Sequence, residues 1–71
     1  MSKFYYTDER GKEIFIKKID YANEELEFTE NPYEAHTERN GYYMNPTRDY
    51  IKFHFKEKYP QVKTLKAVET F

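Results

Sequence analysis

Residues 50–60 read Tyr50-Ile51-Lys52-Phe53-His54-Phe55-Lys56-Glu57-Lys58-Tyr59-Pro60, and the fold turns on how they are read. Ile51, Phe53 and Phe55 alternate with Lys52, His54 and Lys56, the period of a half-buried strand. The same residues also fit a helix, with Ile51, Phe55 and Tyr59 spaced i, i+4, i+8 on one side and Tyr50 and Phe53 on another. The flanks break the tie. Asn45-Pro46 offers a capping residue followed by a proline suited to a first helical turn, and Asp49 follows near the positive end of the helix dipole. Lys56 and Lys58 suit the opposite end, and Pro60 cannot continue a helix. The stretch is therefore predicted as a helix over 46–58. Ile51, Phe55 and Tyr59 then face a core, and Tyr50 and Phe53 are left lateral or exposed.

The rest of the chain reads mainly as strands. Lys3 to Thr7 is rich in β-formers, Asp8-Glu9-Arg10-Gly11 is a turn, and 12–19 is a second strand, together a β-hairpin. Phe4 with Tyr6, and Ile14 with Ile16, share faces by alternation. Asp20 to Asn23 is a second turn. Glu25 to Thr29 alternates again, with Leu26 and Phe28 inward. Thr29-Glu30-Asn31-Pro32 resembles a helix start, so 32–38 is expected to form one or two helical turns ending at Asn40-Gly41. Tyr42, Tyr43 and Met44 read as a linker or a short strand. After Pro60, 61–69 is expected to return as a strand. The predicted order is β-β-β-α-α-β, an α+β domain with two helices packed on one face of a small antiparallel sheet. No repeat or linker divides it, so 1–71 is read as one domain.

Composition narrows the function classes. A chain of 71 residues buries only roughly 60% of its unfolded surface. There is no cysteine to staple it, and the eight Tyr and six Phe must supply much of the core. Gly11 and Gly41 are the only glycines, so no phosphate-cradling loop is available. The only serine is Ser2, and the two histidines, His36 and His54, stand apart in sequence. His36 is expected at the surface and His54 on a solvent-facing side of the helix. These absences argue against nucleophilic catalysis, a metal centre or a cofactor. No apolar run approaches the ~20 residues of a membrane span, and the first residues lack the apolar stretch of a signal peptide, so a cytoplasmic protein is expected.

Charge is segregated. Net charge is −1. Asp20, Glu24, Glu25, Glu27, Glu30, Glu34 and Glu38 occur with no Lys or Arg among them, whereas Arg48, Lys52, Lys56, Lys58, Lys63 and Lys66 dominate the C-terminal third. Either the two segments are solvated faces that meet in the fold, or one is a docking surface. Two sets of candidate binding residues follow. Glu25, Glu27, Glu30 and Glu34 could imitate a phosphate array and occupy a basic groove on a protein. Tyr50 and Phe53, with Tyr42 and Tyr43, could form an aromatic protein contact or pair two copies as a homodimer. Alternatively Tyr50, Lys52, Phe53 and Lys56 could bind single-stranded nucleic acid by stacking and charge.

Three phrases, YYTDERGKEIFIKKI, LEFTENPYEA and FKEKYP, together resemble the small, charge-rich, uncharacterised proteins encoded by phages and prophages of low-GC Gram-positive bacteria. The resemblance implies an accessory protein that binds and modulates a host factor. It defines no site pattern, so no residue role carries over. The expectation is a non-enzymatic protein that acts by binding another protein, with nucleic-acid binding as the alternative.

Overall fold

The computed structural model of the chain describes residues 1–69. Four strands, β1 (Ser2–Thr7), β2 (Glu13–Asp20), β3 (Glu25–Thr29) and β4 (Lys66–Glu69), form one sheet in the order β3-β2-β1-β4. Each neighbouring pair is antiparallel. One α-helix, α1 (Met44–His54), packs against the sheet. The architecture is α+β.

Both turns follow from local chemistry. The Asp8 carboxylate accepts the backbone N–H groups of Arg10 (2.9 Å) and Lys12 (2.8 Å), and Gly11 takes φ +80° to close the β1–β2 hairpin. Asp20 does the same for Asn23, accepting its backbone N–H at 3.1 Å and its side-chain amide at 2.9 Å. These donors hold both aspartates below the ordinary carboxylate pKa: the Lys12 N–H first for Asp8, and the Asn23 side chain first for Asp20.

A bulge in β2 makes the core possible. Ile16 pairs with Phe28 and Ile19 with Leu26, with the register shift lying between Ile16 and Lys18. Three residues of β2 thus span two of β3, and Ile16 and Ile19 both turn toward α1. The buried cluster is Phe4, Ile16 and Leu26 from the sheet, Ile51 and Phe55 from the helix and its cap, and Val62 and Leu65 from the segment before β4. Ile51 and Phe55 follow Met44 by seven and eleven residues, which puts the three on a single helical face.

The two predicted helices are one. The capping expectation at Asn31 holds, since its side chain accepts the Tyr33 N–H at 3.0 Å and Pro32 begins the turn, but only the 3-10 turn Pro32–Glu34 forms. Beyond it the backbone is claimed by the sheet. β2 pairs with β1 only from Glu13 to Phe15, and residues 36–38 fill the fork that opens where β2 bends away. His36 donates its N–H to Ile16 O (2.9 Å), and Ser2 and Glu38 exchange both backbone bonds at 2.8 Å. A helix over 32–38 would leave those strand groups unpaired.

The other boundaries shift as well. The chain enters α1 through a 3-10 turn, Gly41–Tyr43, capped by Asn40, so Asn45 is not the cap and Tyr42 and Tyr43 are neither linker nor strand. Pro46 is the third helical residue, where its missing N–H still costs nothing. The helix stops at His54 instead of Lys58. Lys58 meets Glu25 at 3.7 Å, the Tyr59 hydroxyl accepts the Leu26 N–H at 3.1 Å, and the Tyr59 ring lies 5.7 Å from Phe28. These contacts carry the chain off the helical path onto edge strand β3. Pro60 then starts a 3-10 turn, Pro60–Thr64, in place of the first half of the strand expected over 61–69. Buried Val62 and Leu65 hold that turn in the core.

Candidate protein-binding face

Among the described residues no three His, Asp or Glu side chains gather as metal ligands, and no helix is long and apolar enough to cross a membrane. A groove of about 450 Å³ lies between the β1–β2 turn and the Pro60–Thr64 turn, lined by Tyr6, Asp8, Arg10, Gln61 and Thr64 among others. Asp8 is committed to the turn there. Tyr6 is pushed above its ordinary pKa, first by burial and then by the Asp8 charge, which keeps the phenol protonated.

The acids that cluster in sequence do not cluster in space as one array. Glu25 and Glu27 stand on β3, the first beside Lys58 and the second opposite Lys18 in the ladder. Glu30 turns to the hairpin tip, 3.4 Å from Lys12 and 4.0 Å from Arg10. Glu34 folds back to accept the Thr29 hydroxyl at 3.0 Å, and Glu38 lies 3.5 Å from His36 in the fork. Glu25, Glu27, Glu30 and Glu34 are all exposed, yet each has a neighbour that uses its charge or position. The basic and acidic segments meet along the Lys58–Glu25 contact.

The aromatic residues behave differently. α1 buries Ile51 completely, yet one residue before and two after it Tyr50 is 45% exposed and Phe53 67% exposed. A helix with apolar residues on both sides normally has something packed on both. Here the outer side carries a connected string of rings. Tyr21 stands 6.5 Å from Phe55 at the core and 5.6 Å from Tyr50; Tyr50 lies 4.1 Å from His54, and Phe53 5.2 Å from His54. The Lys56 ammonium sits 5.0 Å from the Phe53 ring centre. Tyr43, in the turn that leads into α1, is half exposed and meets Tyr42 edge-on at 5.2 Å. Lys52 is partly buried, about 100° around the helix from Phe53.

Tyr21 was not singled out from sequence. Its signal is a large aromatic inside the Asp20–Asn23 turn, where polar residues are usual. Partial burial against its neighbours raises the Tyr21 pKa, with Glu38 and Tyr50 adding to the shift, so its hydroxyl stays protonated at neutral pH. His54 joins the string through Tyr50 and Phe53, where the sequence marked it only as solvent-facing.

Fold and face together define a small α+β domain with a four-stranded antiparallel sheet, one helix, and an aromatic surface on the outer side of that helix. Comparison of the chain with protein-family models, curated proteins and solved structures finds no match.

Proposed function

We propose that this chain is a non-enzymatic accessory protein that acts by binding another protein through the outer face of α1, centred on Tyr50 and Phe53. The observation that carries the reading is the connected ring string from Tyr21 to Phe53, exposed on a helix whose inner face already fills the core. Scattered exposed apolar residues need no explanation, but a contiguous patch marks an interaction site. Tyr is favoured in such contacts because it offers large area at low entropic cost. Action on a host factor in the cytoplasm, as a phage-type modulator, is the setting that the phrases YYTDERGKEIFIKKI and LEFTENPYEA suggest. The acidic residues Glu25, Glu27, Glu30 and Glu34 serve as a solvated rim on this reading, not as the primary contact.

The test is site-specific photocrosslinking with a benzophenone side chain placed at position 53 and, as control, at position 9. A discrete protein adduct from position 53 alone supports the reading. No adduct, or equal adducts from both positions, overturns it.

The second reading, a single-stranded nucleic-acid module built on Tyr50, Lys52, Phe53 and Lys56, draws on Lys56 beside the Phe53 ring. Lys52 is partly buried and Asp49 borders the patch, which weakens it. A mobility shift with a short oligonucleotide that fades steeply with salt would favour this second reading.

A further inference from the structure

Resting on the protein-binding reading, we infer that in the free protein the outer face of α1 is covered by a second copy of this chain, paired antiparallel about a two-fold axis through Phe53, and that a different protein partner must displace that copy.

The argument is the order of charge along the face. Phe53, 67% exposed, stands out further than Tyr21 or Tyr50. Asp49 lies one turn before it, and the Asp49 side chain is 64% exposed while accepting from Arg48 Nε at 3.1 Å. Lys56 lies one turn after it, with its ammonium 5.0 Å from the Phe53 ring centre and therefore on the same face. The face thus reads negative, aromatic, positive along the helix. A two-fold axis through the aromatic, perpendicular to the helix, converts that order into positive, aromatic, negative on the facing copy. Each Asp49 then meets the Lys56 of the other copy, twice over, with the two Phe53 rings together on the axis. A self-complementary patch of this kind is what an isologous dimer requires. The antiparallel arrangement also opposes the two helix dipoles.

A stable interface takes about 800 Å² from each partner, roughly a sixth of the 5086 Å² surface of one chain. Tyr50, Phe53, His54 and Tyr21 supply the apolar centre. Asp49, Lys56 and Arg48 supply a polar rim, so the patch has the anatomy of an interface.

The experiment is sedimentation equilibrium of the full chain from micromolar to millimolar concentration, with Asp49→Lys, Lys56→Asp and the combined double reversal beside the parent. The parent is expected to reach twice its 8.8 kDa mass. Each single reversal sets like charges against each other at both ends of the interface and should weaken dimerisation roughly tenfold. The double reversal restores opposite signs and should recover it. Far-ultraviolet circular dichroism of each variant establishes that the fold is kept. A parent that stays monomeric to millimolar concentration, or a double reversal weaker than either single one, overturns the self-pairing. If the parent is monomeric yet position 53 still crosslinks to a different protein, self-pairing fails while the protein-binding reading stands. If position 53 gives no protein adduct, both fail.

Discussion

The acidic run from Asp20 to Glu38 and the aromatic run from Tyr50 to Tyr59 make the same kind of claim in sequence, and the fold treats them in opposite ways. The acids are taken up one by one in local tasks: Asp20 closes a turn, Glu25 meets Lys58, Glu30 meets Lys12, and the backbone of His36 and Glu38 completes the sheet. The large apolar residues divide between the two sides of one helix and its cap, Ile51 and Phe55 inward, Tyr50 and Phe53 outward. A charge is satisfied by any single partner or by water. An apolar ring is satisfied only by being covered, so the aromatic run is where an unmet requirement remains.

The sharpest way to break that contrast is to truncate one residue from each side of α1. Ile51→Ala, at a site with no exposure, should cost about 2–5 kcal/mol in chemical denaturation. Phe53→Ala should change stability by less than about 0.5 kcal/mol, because it removes a surface side chain. Yet it should abolish the protein contact, read as a fall in the mass found by sedimentation equilibrium toward that of one chain. If Phe53→Ala destabilises as much as Ile51→Ala, the outer face is structural and the contrast is lost.

A smaller effect is expected at Tyr59. Tyr59→Phe leaves the ring against Phe28 but removes the acceptor of the Leu26 N–H, and should cost about 1 kcal/mol. Hydrogen exchange at Leu26 should rise in the variant, because the edge of β3 loses its cover. Unchanged protection would mean that Tyr59 holds the edge by packing alone.

Asp8 and Asp20 extend the test to pH. Both have folded pKa values below the ordinary 3.8, so their contribution is fully present above that value and is lost as pH falls through the lower folded value. The urea midpoint should therefore fall below about pH 4, and Asp8→Asn should flatten that fall. An unaltered acid limb in Asp8→Asn would remove the turn carboxylate from the account.

The smallest effect belongs to the acidic run. Glu30→Gln breaks contacts with Lys12 and Arg10 at the exposed hairpin tip and should cost no more than about 0.5 kcal/mol, screened by salt. A loss of protein binding in Glu30→Gln, without loss of stability, would return the acidic run to the role of docking surface.

Much of the fold is legible in the residues. The hairpin follows from Asp8 and Gly11, the third strand from the alternation in Glu25–Thr29, and the helical reading of 50–54 from its flanks. The exposed Tyr50 and Phe53 follow from that helix alone. What was misread shares a cause. Residues 32–38 have sound helix-start chemistry, but the fork opened by the β2 bulge offers their backbone two strands to pair with. The helix end at His54 and the 3-10 turn after Pro60 are likewise decided by contacts with β3 and the core. Tyr21 joins the aromatic face through a neighbour 29 residues away.

What the sequence determined by itself is therefore local: turns closed by side-chain oxygens a few residues away, strands by alternation, and a helix by its apolar period. The tertiary structure alone decided how far each element runs and which residues meet. Backbone groups near an element's end choose between partners along the chain and partners across the fold. Here the sheet's open fork and the β3 edge offered partners that a neighbouring helical turn could not match.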